Sequence, residues 1–167
     1  MNFNIKKMTL TVLILCVLSV FIYLWLQEGK TKSRFYMFSG YNEEISVNNG
    51  YIAVNSNYEK IVGGTLHFDM TLPNTIESYT KKIYLKDNEI EKSLFFRYEI
   101  NLSGVQFSSS LFSNLDIGEK YGELNISDII EEALTDNLFF TFEYTTIDGV
   151  TNSSTIHLKV NEILLEE

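Results

Sequence analysis

The sequence predicts a mainly β protein, an N-terminal transmembrane helix followed by an antiparallel immunoglobulin-like β-sandwich with one short helix. Three observations carry that prediction. One long apolar run without charge or proline lies near the N-terminus, apolar and polar residues alternate in segment after segment from Arg34 onward, and turn signals such as Asn49-Gly50 and Asp148-Gly149 separate those segments. At 167 residues the chain has room for one ordinary domain beside that run, which excludes a multi-domain enzyme.

The apolar run extends from Met8 to Leu26, preceded by Lys6 and Lys7 and ended by Gln27, Glu28 and Gly29. As a helix rising about 1.5 Å per residue it is roughly 28 Å long, close to a hydrocarbon core of about 30 Å. A secretory signal peptide has a shorter apolar region and a small-x-small cleavage site. No Ala-x-Ala follows here, and cutting at Val17-Leu18-Ser19 would leave Val20 to Leu26 as an apolar new N-terminus. The run therefore reads as an uncleaved signal anchor with Tyr23 and Trp25 near headgroup level. Cys16 follows Leu15 rather than a small residue, so it reads as an apolar thiol and not a lipidation site. It is the only cysteine, so paired-thiol zinc and redox motifs and an intrachain disulfide are excluded.

Lys30, Lys32 and Arg34 follow the run and balance the lysines before it, so orientation comes from layout: a basic tail, an early anchor and a long acidic domain place the N-terminus inside and the domain outside. The expected organisation is a cytoplasmic tail over 1–7, an anchor over 8–26, a juxtamembrane stalk over 27–34 and an extracytoplasmic domain over 35–167. Net charge is −9, from 13 Lys+Arg against 22 Asp+Glu, and no acid precedes Glu28. Such a domain repels phosphate backbones and anionic headgroups, so nucleic acid is not expected as a partner; the bilayer is met through the anchor alone.

Within the domain, Thr65 to Leu72 puts Leu66, Phe68, Met70 and Leu72 on one side. Leu94 to Leu102 likewise aligns Leu94, Phe96, Tyr98, Ile100 and Leu102 inward, with Phe95, Arg97, Glu99 and Asn101 outward. Leu138, Phe140, Phe142 and Tyr144 form a third row, and Ile156, Leu158 and Val160 a fourth. Asn49-Gly50 predicts a two-residue hairpin pairing Val47 with Ile52 and Ile45 with Val54. Around Asp148-Gly149 the rows match only across an odd loop with a glycine bulge, setting Phe142 opposite Ile156 and Phe140 opposite Leu158. Asp87-Asn88 offers a further turn. Ser127 to Leu134 is the one helical segment, capped by Asn125 or Ser127 and apolar at Ile129, Ile130, Ala133 and Leu134. Seven or eight strands are expected in all.

A Lys-Lys signal anchor, a short basic stalk and the opening FSGYNEEISVNNGYIAV segment together resemble the small single-span envelope proteins of low-GC Gram-positive bacteria. That resemblance covers the layout of the whole chain and implies a cell-surface location with no particular activity.

Catalytic motifs fail on inspection. Gly29-Lys30-Thr31 mimics the end of a P-loop, but its first glycine would fall at Leu24. Ser108-Ser109-Ser110 has no neighbouring His or Lys, and adjacent Glu131 and Glu132 cannot face each other on a helix. The sequons at Asn101, Asn125 and Asn152 occur at a chance frequency. His67 and Asp69 share an outward parity, and His157 is outward beside Thr155 and Lys159; on neighbouring strands the three would make a two-His, one-carboxylate metal site, against the plainer reading of a polar sheet face. Phe95 and Phe139 stand on the outward parity of strands whose inward rows are complete. They are expected under the helix around Ile129 and Leu134 or under a loop, or, where exposed and adjacent, as the contact surface for a partner. The expected function is a non-enzymatic binding or interaction module for an envelope protein or surface ligand, with no cofactor. The alternative is a metal-dependent or hydrolytic envelope enzyme using His67, Asp69 and His157.

Overall fold

The chain divides at Lys32 and Ser33 into two parts. A computed structural model describes residues 13–23, 33–55, 58–73, 75–87, 90–101, 107, 109–122, 124, 126 and 131–163. In the first part, residues 13–23 are helical (α1) and every one of them is exposed. Among the described residues no helix is long and apolar enough to cross a membrane. The rest of the expected anchor, the tail and most of the stalk lie outside the described residues, and the first strand already begins at Arg34.

The second part contains eleven described strands: β1 (Arg34–Tyr41), β2 (Ile45–Val54), β3 (Glu59–Val62), β4 (Thr65–Phe68), β5 (Ile76–Asp87), β6 (Ile90–Ile100), β7 (Leu115–Asp116), β8 (Glu119–Tyr121), β9 (Leu138–Thr146), β10 (Thr151–His157) and β11 (Lys159–Ile163). β3 with β4, β7 with β8 and β10 with β11 are consecutive, so they occupy about as many stretches of chain as the periodicity predicts. One antiparallel sheet has the order β11-β1-β2-β3-β8, with β4 beside β2 and β7 beside β4; the other is β10-β9-β5-β6. The sheets share one core, in which Ile45, Ile52 and Ile61 of the first meet Ile83, Phe140 and Phe142 of the second. Phe68 and Phe142 cross between the sheets edge to face with ring centroids 4.9 Å apart.

Ile45 and Val47 are odd-numbered and Ile52 and Val54 even-numbered, yet all four are buried. A strand of period two does this only by inserting a residue. β2 runs unbroken through Asn49-Gly50, and Asn48 and Asn49 together face Ser39, between the pairs Phe38↔Gly50 and Gly40↔Val47. The result is a bulge, with Asn49 at φ 60. The expected Asn49-Gly50 hairpin is therefore corrected: the chain turns at Asn42, whose Oδ1 accepts the N–H groups of Glu44 and Ile45 at 2.8 Å each. A bulge and a tight hairpin both reverse parity and both need a left-handed residue, so Asn-Gly suits either. Gly50 belongs here because a Cβ would stand 2.0 Å from the Phe38 ring.

β6 holds the second correction. Ile83 pairs with Phe95 and Tyr84 with Ser93, leaving Leu94 as an extra residue. Leu94 and Phe95 are both buried, while Phe96, Tyr98 and Ile100 are exposed, the reverse of the expected row. Leu94-Phe95-Phe96 is apolar at three successive positions, so alternation alone cannot say which residue begins the buried row.

The β9–β10 loop is odd, as the rows require. It spans three residues after Thr146, with Gly149 at φ 81 and its N–H donated to the Thr146 carbonyl. Its register is shifted by two residues from expectation: Phe142 faces Ser154 and Phe140 faces Ile156. Ser154 is buried there because its hydroxyl accepts from Asn42 Nδ2 at 3.0 Å. β5 and β6 pair to Asp87↔Ile90, with the two connecting residues outside those described. The described helical turns of this part are Glu131–Asp136 (α2) and a short 3-10 turn at Ser109–Phe112. α2 continues two residues past the expected end at Leu134, which is buried; its expected start, residues 127–130, lies outside those described.

Replacing Gly50→Ala is expected to cost about 1–3 kcal/mol in urea unfolding, the range for overpacking. Phe38→Leu in the same chain should recover part of that loss as a double-mutant coupling. Full stability of the single variant would mean that Phe38 does not close over Gly50.

Candidate functional site

The structure separates the residues that sequence brings together. His67 lies on β4 opposite Ser46, and His157 lies on β10 opposite Phe139, so the two histidines belong to different sheets. Leu66 and Ile156 beside them point into the shared core, which sets the histidines on opposite outer faces. Asp69 is exposed beyond the end of β4, its N–H donated to the Glu44 carbonyl. The two-His, one-carboxylate arrangement is thus not assembled, and among the described residues no group of three His, Cys, Asp or Glu is placed to hold a metal ion. His157 instead donates from Nε2 to the Asp136 carbonyl at 2.7 Å, satisfying one of the carbonyls left open at the end of α2.

Phe95 and Phe139 part as well. The bulge turns Phe95 inward, 4% exposed, against Gly118, and this removes it from any contact surface. Phe139 stays on the outer face of the second sheet but is half-buried between Tyr84, stacked at 5.8 Å, and His157, at 4.9 Å. Phe95→Ala is expected to cost about 3–5 kcal/mol of stability in denaturant unfolding, as a core truncation does. A change under about 0.5 kcal/mol would return it to the surface.

Lys81 is the group sequence reasoning missed inside. It is 3% exposed on the inner side of β5, where its parity, shared with Tyr79 and Ile83, commits it to the core. Its Nζ crosses to the Asp116 carbonyl on β7 at 2.7 Å, joining the two sheets. Burial, followed by the nearby Arg97 charge, lowers the lysine's pKa from its ordinary value. Burial raises that of Tyr79 beside it, with the Glu99 charge adding to the shift. A lysine pKa lowered on folding means the unfolded chain binds more protons between the folded and unfolded values, so stability from this group rises with pH in that window. Lys81→Met should therefore stabilise the domain at neutral pH by about 1 kcal/mol or more. That advantage should shrink as pH rises through the lowered folded value toward the ordinary lysine value of about 10.4, measured by urea unfolding at each pH. A pH-independent difference would show that folding leaves the Lys81 pKa unshifted.

An arrangement of half-buried and exposed rings spans the outer face of the first sheet. Because Tyr36, Phe38, Ile52 and Ile61 point inward, Phe35 and Met37 on β1, Tyr51 on β2, Lys60 on β3 and Tyr121 on β8 share the opposite face. Phe35 and Tyr51 stack at 5.1 Å. Lys60 Nζ lies 4.4 Å from the Tyr121 ring centroid and 5.7 Å from that of Tyr51, pairs with Glu119 at 2.9 Å and donates to the Tyr121 hydroxyl. The hydrogen bond to Tyr121, then that to Glu119, raises the Lys60 pKa, and the bond from Lys60 lowers that of Glu119, so both stay charged near neutrality. Tyr121 is 59% and Met37 41% exposed. The strip can stack a ring or an apolar side chain and donate or accept hydrogen bonds at its tyrosine hydroxyls and ammonium. Phe35-Tyr36-Met37-Phe38 is apolar throughout, so periodicity could not have said which pair is outside; Tyr51 on β2 and Tyr121 on β8 were the available signal.

Comparison with known proteins finds no matching family model, no matching curated protein and no matching solved structure.

Proposed function

We propose that the chain is a membrane-anchored extracytoplasmic binding module, an immunoglobulin-like sandwich held by its N-terminal apolar run and recognising another envelope protein or a surface ligand. The observation that carries this reading is the Phe35–Tyr51–Lys60–Tyr121 strip, in which rings and a held ammonium lie side by side on an exposed sheet face. Supporting the location is the apolar run itself: a helix apolar all round, as 13–23 is, suits lipid better than one face of a soluble core. The acidic domain suits an export-side position and disfavours nucleic acid. In this reading N-terminus and domain lie on opposite sides of the cell membrane, with residues 8–26 as the span.

A photo-crosslinking amino acid at Tyr121, introduced into the full chain in intact cells, is expected to capture a discrete envelope component. The same group at Thr155, exposed on the second sheet, should not. The chain should resist a high-salt membrane wash, and protease added to protoplasts should digest the domain. Equal capture from both positions would overturn the binding face. A protected domain or a shortened soluble product would overturn the anchored topology.

A further inference from the structure

β6 is the last strand of the second sheet and pairs only with β5 among the described residues. Its backbone directions follow from its neighbours. Asn101 N–H donates to the Glu77 carbonyl, so residues of that parity, Arg97 and Glu99, turn their backbone groups toward β5. Phe96, Tyr98 and Ile100 then present N–H and C=O to the open edge. Leu94, of the same parity, has its carbonyl met by Lys120 Nζ from outside β5, at 3.2 Å. Beyond that cap, three successive edge residues carry exposed apolar side chains: Phe96 60%, Tyr98 51% and Ile100 45%. A long, apolar, unprotected edge of this kind is what a sheet uses to pair with another strand.

We propose that this edge pairs with β6 of a second copy of the chain, antiparallel and two-fold about Tyr98, joining two four-stranded sheets into one continuous eight-stranded sheet. Charge complementarity chooses both the occupant and the register. Centred on Tyr98, Arg97 falls opposite Glu99 of the second copy and Glu99 opposite its Arg97, while Phe96 and Ile100 face each other on the outer side. Arg97 already pairs with Glu99 within one chain at 2.5 Å, and the dimer extends that pair into a four-charge square. Centring on Arg97 or Glu99 instead would set like charges face to face. Centring on Phe96 would oppose Arg97 to Phe95, and centring on Ile100 would oppose Glu99 to Asn101. In the Tyr98 register, Tyr98 exchanges two backbone hydrogen bonds with its mate, and each Phe96–Ile100 pair exchanges two more.

The test uses the full chain carrying Cys16→Ser in its membrane. With Tyr98→Cys, mild oxidation is expected to give a disulfide-linked homodimer, since directly opposed strand residues lie within disulfide reach. Tyr41→Cys, on an exposed site away from the edge, should give none. Arg97→Glu or Glu99→Arg alone should lower the linked fraction roughly tenfold, and both together should restore it. Circular dichroism checks that each variant is folded, and the Tyr98→Cys link is read without any charge change. Failure of Tyr98→Cys to link, linkage to a different polypeptide, or indifference to both single reversals would each overturn the proposal. Because Tyr121 lies on the other sheet, loss of this dimer leaves capture from Tyr121 unaffected, and the two outcomes are distinguishable.

Discussion

A row of left-handed backbone positions across the first sheet is the constraint on which the rest of the domain depends. Asn49 at φ 60 lies opposite Gly64 at φ 78, and Gly118 at φ 109 lies opposite Gly63 one strand further on. At this line β2, β3–β4 and β7–β8 all change which parity faces inward, so the pairs Val47↔Leu66 and Ile52↔Ile61 can both be buried. β1 does not change, and the bulge beside Ser39 absorbs the difference. Glycine is needed on the line for two reasons. The positive φ disfavours a side chain at Gly64, and the neighbours Gly50 and Gly63 give their space to Phe38 and Ile117 in the core.

With the first sheet kinked, polar side chains close the open flank of the sandwich. Lys81 reaches from β5 to the Asp116 carbonyl, and Lys120 from β8 to the Leu94 carbonyl, each joining one sheet to the other. Glu59, buried on β3, accepts the N–H groups of Leu124 and Ile126 at 2.7 and 2.9 Å. Those contacts hold the chain on its way from β8 toward α2, where a buried backbone donor without a partner would cost about 1–3 kcal/mol. At the other end Asn42 ties the β1–β2 turn to Ser154 and to the Thr155 carbonyl. These ties use charge and amide groups where a larger core would use apolar contacts, and they set the register of β7, β8 and β10.

The same ties distribute what remains exposed. Lys120 caps Leu94 and so ends the protected part of β6, leaving the Phe96 to Ile100 edge open. On the opposite sheet the inward commitment of Tyr36, Phe38 and Ile52 leaves Phe35, Met37 and Tyr51 outside with Lys60 and Tyr121. The molecule therefore offers two surfaces on different sheets, one a ring-lined face and one a strand edge. The proposed ligand face and the proposed pairing edge are compatible because neither uses the residues of the other.

What the sequence by itself determined is the β class, a short helix through Leu134, the odd loop that closes at Gly149 and the inward rows of β4 and β9, since each rests on local periodicity or on a turn with one backbone solution. Local pattern also marked Asn49-Gly50 as a change of parity, but hairpin and bulge are both solutions there, and only the pairing of β2 with β1, β3 and β4 chose the bulge. The surfaces were decided at the same level. Phe95 turned inward and Phe96 outward because Leu94 is the extra residue against β5, and the histidines were parted because β4 and β10 lie in different sheets. Strand adjacency and bulge position are set by contacts between segments distant in sequence. A period of two says which residues share a face, not which face it is or what lies beside it.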